Sequence, residues 1–163
     1  MTKKYRLSAL GLLAGGALVL GMHPAFASSV EVPFNASFSG GAAITSPSTS
    51  AFTGSGHATL MGRTTSAGHA DFLPPEDSHC QGGVPNTNYE TLTAVNGDTL
   101  SIVSDDVACP TGAWRFHGSG HWHVSGGTGR FANTTGEGTF DGHSDFTAGT
   151  FAATVSGKIV LRD

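Results

Sequence analysis

Apolar and polar residues alternate with a period of two along most of the chain beyond residue 28. Val30, Val32, Phe34, Ala36 and Phe38 share one parity, against Glu31, Asn35, Ser37 and Ser39. Gly56, Ala58, Leu60 and Gly62 oppose His57, Thr59, Met61 and Arg63, while Ala70 and Phe72 oppose His69 and Asp71. Trp114, Phe116, Gly118, Gly120, Trp122 and Val124 oppose Arg115, His117, Ser119, His121 and His123. Phe151, Ala153, Val155, Gly157, Ile159 and Leu161 oppose Thr150, Thr154, Ser156 and Lys158. Successive side chains of a strand point to opposite faces, so each run predicts a strand with one face for a core and one for water. Helical periodicity is not found in this part.

The pattern predicts about eight strands, near 30–39, 51–63, 67–73, 88–95, 99–104, 113–124, 135–146 and 149–161, with a longer loop over 74–86. Asn96-Gly97 marks a tight hairpin, because both residues tolerate positive φ. A strict two-residue turn would mix the faces. A bulge or three-residue loop, setting Leu92 opposite Ile102 and Ala94 opposite Leu100, keeps them apart. For the hairpin formed by 113–124 and 135–146, partners whose numbers sum to 260 place Phe140 across from Gly120 and Trp122 across from Gly138. Each ring then fills space that a glycine leaves.

Antiparallel strands with one apolar face each must stack as two sheets or close on themselves. Glycines inside the strands permit the sharp curvature of a small barrel. Gly54-Ser55-Gly56-His57 also returns as Gly118-Ser119-Gly120-His121. The expected fold is therefore all-β, a closed antiparallel barrel of about eight strands, with a β-sandwich as the alternative.

The amino-terminal segment has a different character. Lys3, Lys4 and Arg6 precede an apolar stretch over 7–20, and Ala25-Phe26-Ala27 offers a small-x-small cleavage site. Residues 1–27 are thus expected to be a secretory signal peptide, and 28–163 one domain, secreted or periplasmic, with no membrane association after cleavage. The apolar run is short for a bilayer span. The leader contains three of the eight Lys and Arg residues and none of the twelve Asp and Glu residues. The acidic remainder argues against nucleic acid as a partner. In an oxidising compartment Cys80 and Cys109, which bracket a predicted hairpin, are expected to form a disulfide stabilising the fold by roughly 3–4 kcal/mol.

Ser125-Gly126-Gly127-Thr128-Gly129-Arg130-Phe131, followed by Gly136 and Gly138, resembles the Gly-Gly-Thr-Gly-x-Phe turn of dirigent proteins and allene oxide cyclases. Residues 56–63 and 92–100 are similar to segments of exported bacterial proteins that carry the same turn. The resemblance spans most of 51–160 and implies that family's β-barrel. Its motifs are glycine turns and strand ends, and the acidic, tyrosine and arginine residues used by the plant enzymes are not carried over. Read physically, the turn allows close backbone approach. It lacks the Gly-Lys-Ser/Thr ending and following helix of a phosphate cradle.

Three chemistries compete. Trp114, Phe116, Trp122 and Phe140 are expected to line the interior and to wall any pocket for a small apolar ligand, the leading reading, with an interaction module beside it. The resemblance implies the second, a cyclase or isomerase acting on an apolar substrate in the cavity. Ionisable residues pointing inward would favour that enzyme; a wholly apolar interior would favour binding. The third is surface metal binding by His121, His123 and Glu137, since residues i and i+2 of a strand share a face; the 260 register would set Glu137 opposite His123, and a shift by two residues would keep the faces but set it opposite His121. The same register sets His143 opposite His117. No catalytic set is recognisable: no nucleophile elbow occurs, and Asp105 and Asp106 should face opposite sides of their strand. No cofactor is expected.

Overall fold

The computed structural model describes residues 29–162; the predicted signal peptide lies outside the described residues. Eight strands follow one another: β1 (Ser29–Ser46), β2 (Thr49–Ala58), β3 (Gly62–Phe72), β4 (Val84–Ala94), β5 (Thr99–Gly112), β6 (Arg115–Gly127), β7 (Thr135–Asp145) and β8 (Thr150–Arg162). Each pairs antiparallel with the next, and β8 returns to β1 in a ladder running from Ser29↔Arg162 to Gly41↔Thr150. The sheet closes on itself, so the barrel is the fold and the sandwich is not. Closure leaves no unpaired strand edge.

Strand limits differ from those expected where polarity masked continuity or a turn broke parity. β1 continues to Ser46, and β4 and β5 extend across 84–87 and 105–112, which alternate weakly. The run expected over 51–63 is broken at 59–61. Leu60 there has φ 66° and stands partly exposed, whereas Met61 turns inward and is buried. The β4–β5 hairpin has a four-residue connection, with Leu92 opposite Leu100 and Glu90 opposite Ile102, not the Leu92–Ile102 pairing expected. Asn96 bridges that turn by accepting from the Asp98 N–H at 3.2 Å, and Gly97 takes φ 89°. The difference is an even number of residues, so both faces survive. The β6–β7 register is the expected one, Gly120↔Phe140 and Trp122↔Gly138.

One half of the barrel is filled. Phe34, Phe38, Met61, Leu92, Leu100, Ile102, Trp122, Val155 and Ile159 are buried together. The Trp122 ring meets Phe34 edge-on at 5.6 Å, and its indole N–H donates to the Ser156 carbonyl at 3.2 Å. Phe131, at the end of a 3-10 turn (Gly129–Phe131), is fully buried and stoppers this half. The glycine turn explains how. Gly129 has φ 58°, and a Cβ there would collide with the Asp98 carboxylate. Thr128 Oγ1 accepts from the Thr99 N–H at 3.0 Å, tying the stopper to β5.

Candidate functional site

Towards the opposite end the inward residues become smaller. Along β5, Leu100 and Ile102 give way to Ser104, Asp106 and Ala108; along β6, Trp122 gives way to Gly118; along β1, Phe34 and Phe38 give way to Ala42. The missing volume is a cavity of about 320 Å³. Phe52, Phe72, Phe116, Phe140 and Phe151 form much of its wall, and Ile44, Leu73, Trp114 and Phe146 stand around its mouth. The rings support one another: Phe52 and Phe151 lie 5.3 Å apart, Phe116 and Phe146 6.1 Å. A concave, mostly apolar site with a few polar anchors suits small molecules.

The anchors lie on β4 and β5. Asn86, Asn88 and Glu90 point inward from β4, and Ser104 and Asp106 from β5. Asn88 donates to Asn86 Oδ1 at 2.9 Å and to Asp106 Oδ1 at 3.1 Å. The buried Ser66 hydroxyl donates to Glu90. Burial pushes Glu90 above the ordinary carboxylate range, against the lowering effect of Ser66. Burial likewise raises Asp106 from 3.8 to about 6, opposed by hydrogen bonds from Asn88 and Asn86. Asp105 adds to the rise by repulsion, and His117 works against it. Among the described residues no Lys or Arg lines the cavity; the ionisable side chains that point into it are Glu90 and Asp106, while His143 borders it with its ring turned outward onto His117.

Of the four aromatics expected to wall a pocket, Trp114, Phe116 and Phe140 line this cavity. Trp122 does not: it is 1% exposed and belongs to the filled half, resting against Gly157. Trp114 reaches the mouth from a turn, not from the expected strand, with φ 57° and 62% exposure. Asp105 and Asp106 do face opposite ways, Asp105 accepting from Thr87 Oγ1 at 2.7 Å outside the cavity. Glu90, Asn86 and Asn88 carry no motif, yet the parity of Leu92 places all three inside. The parity of Leu100 and Ile102 does the same for Asp106.

The outer face also differs from expectation. Glu137 pairs with His123 and His143 with His117, as the register requires. Yet His121, His123 and Glu137 are not a converging set; residues two apart along a strand are separated by more than 6 Å. Among the described residues, the group whose donor atoms all lie within 4.8 Å is His117, Asp141 and His143. The two imidazoles stack at 4.5 Å, and His117 Nε2 lies 2.8 Å from Asp141 Oδ2. Directly opposed side chains outperform neighbours along one strand.

Cys80 and Cys109 are bonded, with Cα atoms 5.9 Å apart. The bridge pins the β3–β4 loop to β5, and that loop supplies Leu73 and Pro75 to the mouth. No helix among the described residues is long and apolar enough to cross a membrane.

The chain is similar to a solved dirigent protein, a pterocarpan synthase. Identity is 15%, with 82% of this chain and 86% of that one covered, at a TM-score of 0.37. No protein-family model and no curated protein matches it.

Proposed function

We propose that the protein is an exported binder of a small, largely apolar molecule, held in the hollow half of the barrel. The observation that carries this reading is the change from bulky to small inward residues halfway along β1, β5 and β6, which leaves an aromatic-walled space with a few polar anchors. Protein cores normally pack densely, so a void of this size is a feature to be explained. The test is titration of tryptophan fluorescence with apolar probes, together with native mass spectrometry of secreted protein. Trp114 at the mouth reports binding and Trp122 in the filled half does not. Ala70→Leu fills the space from a position that already carries a Cβ. Gly120 is unsuitable, since a side chain there would strike the Asp105 carbonyl of β5. Saturable quenching lost in Ala70→Leu supports the reading; no response and no carried molecule overturns it.

Export is supported by the Cys80–Cys109 bridge, which suits an oxidising compartment. Secreted material should begin at Ser28, and a full-length chain in the medium would refute this.

A second reading is favoured by Asp106. A largely buried carboxyl near pKa 6 in a mostly apolar cavity suits proton transfer to a bound substrate, as a cyclase or isomerase requires. Conversion of a bound ligand, lost in Asp106→Asn while binding persists, would establish it. Recovery of every bound ligand unchanged would leave binding as the function.

A further inference from the structure

We infer that the cavity selects a monocationic amine with an aromatic or alicyclic body, its ammonium seated against Asp106. This rests on the binding reading and names its ligand class. Two carboxylates stand in the cavity wall, on neighbouring strands, and no Lys or Arg among the described residues lines the space to neutralise them. The basic side chains with assigned partners lie elsewhere: Lys158 pairs with Glu31, Arg115 with Asp145 and Arg130 with Asp98, all in exposed positions.

Asp106 is built in. Its carboxylate occupies the volume that a side chain at 118 would need, and Asn88 holds one oxygen at 3.1 Å. The Asn88 amide partly satisfies the anion but brings no countercharge. An ammonium supplies both the missing charge and further donors, at a site where burial strengthens the attraction. Rings around the mouth and wall add favourable faces to a cation, as in pockets for alkylammonium groups. A ligand carboxylate meets the opposite situation, with like charge and no donor of matching sign. The charged groups that act on Asp106 are Asp105 on the outer side of β5 and His117 on the outer side of β6; Glu90 stands further along β4, opposite Ile102. The two outer groups are separated from the ligand by the barrel wall.

The experiment compares three probes with one apolar body: naphthylethylamine, naphthylethanol and naphthylacetate. Affinities are measured by calorimetry on the disulfide-bonded protein at pH 7.5. The amine should bind at least about tenfold tighter than the alcohol, and the acid weakest. In Asp106→Asn, and in the isosteric Glu90→Gln/Asp106→Asn pair, the amine's advantage should fall to within about twofold while alcohol binding persists. Equal binding of alcohol and amine, or preference for the acid, overturns the amine assignment and leaves the apolar binding site standing. A preference that survives in the double variant also overturns it. Absence of binding by all three overturns both readings.

Discussion

Asp106 and Gly118 share one volume. A side chain at position 118 would need the space that the Asp106 carboxylate occupies, so the glycine of β6 is the seat of the carboxylate of β5. The pairing makes an inward charge sterically tolerable, and it sets the carboxylate against backbone and amide groups away from bulk water.

That position has a stability consequence with a definite sign. Asp106 has a folded pKa of about 6 against an ordinary 3.8, so between these values the native state holds a proton that the unfolded chain has lost. Stability therefore falls as pH rises through this window and stays lower above it. Asp106→Asn should stabilise the protein at pH 7.5 by about 1–3 kcal/mol and change little at pH 3.5, in urea unfolding. A variant less stable at pH 7.5 would mean that the carboxylate is well compensated where it stands.

Trp122 and Trp114 should behave oppositely. Trp122→Ala removes a fully buried ring packed on Phe34 and should cost on the order of 3–5 kcal/mol. Trp114→Ala at the exposed mouth should shift stability by less than about 0.5 kcal/mol. Paired denaturation curves decide, and similar costs would contradict the division between filled and hollow halves.

Thiol labelling of the oxidised protein, native and denatured, should fail at Cys80 and Cys109. Replacing both by Ser should lower stability by about 2–4 kcal/mol, because the bridge closes a loop of the unfolded chain. Hydrogen exchange should quicken chiefly at Glu76 and Gly83, whose isolated bridge lies inside the loop that the disulfide anchors.

The outer face is tested with zinc. Excess Zn²⁺ should raise the melting temperature through His117, Asp141 and His143, since a ligand of the folded state adds stability. The gain should fade at lower pH, where protons compete for the donors. His143→Ala should abolish it, and His121→Ala/His123→Ala should preserve it. The reverse pattern would return the site to His121, His123 and Glu137.

The barrel was legible because its signals are periodic and redundant. The β6–β7 register followed from fitting Phe140 and Trp122 against glycines, a steric condition with few solutions. The cavity was legible only at its aromatic wall. Asn86, Asn88, Glu90 and Asp106 obey the same parity as Leu92 and Leu100, but polar residues at inward positions erase the alternation by which strands are recognised. Trp114 was misplaced because a bulky residue at positive φ is rare, so nothing marked the turn. The converging donors His117, Asp141 and His143 were missed for a different reason: spacing along one strand shows which face a side chain takes, whereas convergence depends on the opposing strand, where His143 meets His117.

Because Ser29 and Arg162 are register partners, the strand order is a ring in which β8 and β1 are neighbours like any consecutive pair. Joining these two residues by a short flexible linker and opening the chain at the Asn96-Gly97 turn should yield a circular permutant with the same barrel. The new ends would emerge at the stoppered end, opposite the mouth, leaving the cavity untouched. An affinity tag or surface tether added there would be displayed without obstructing the entrance.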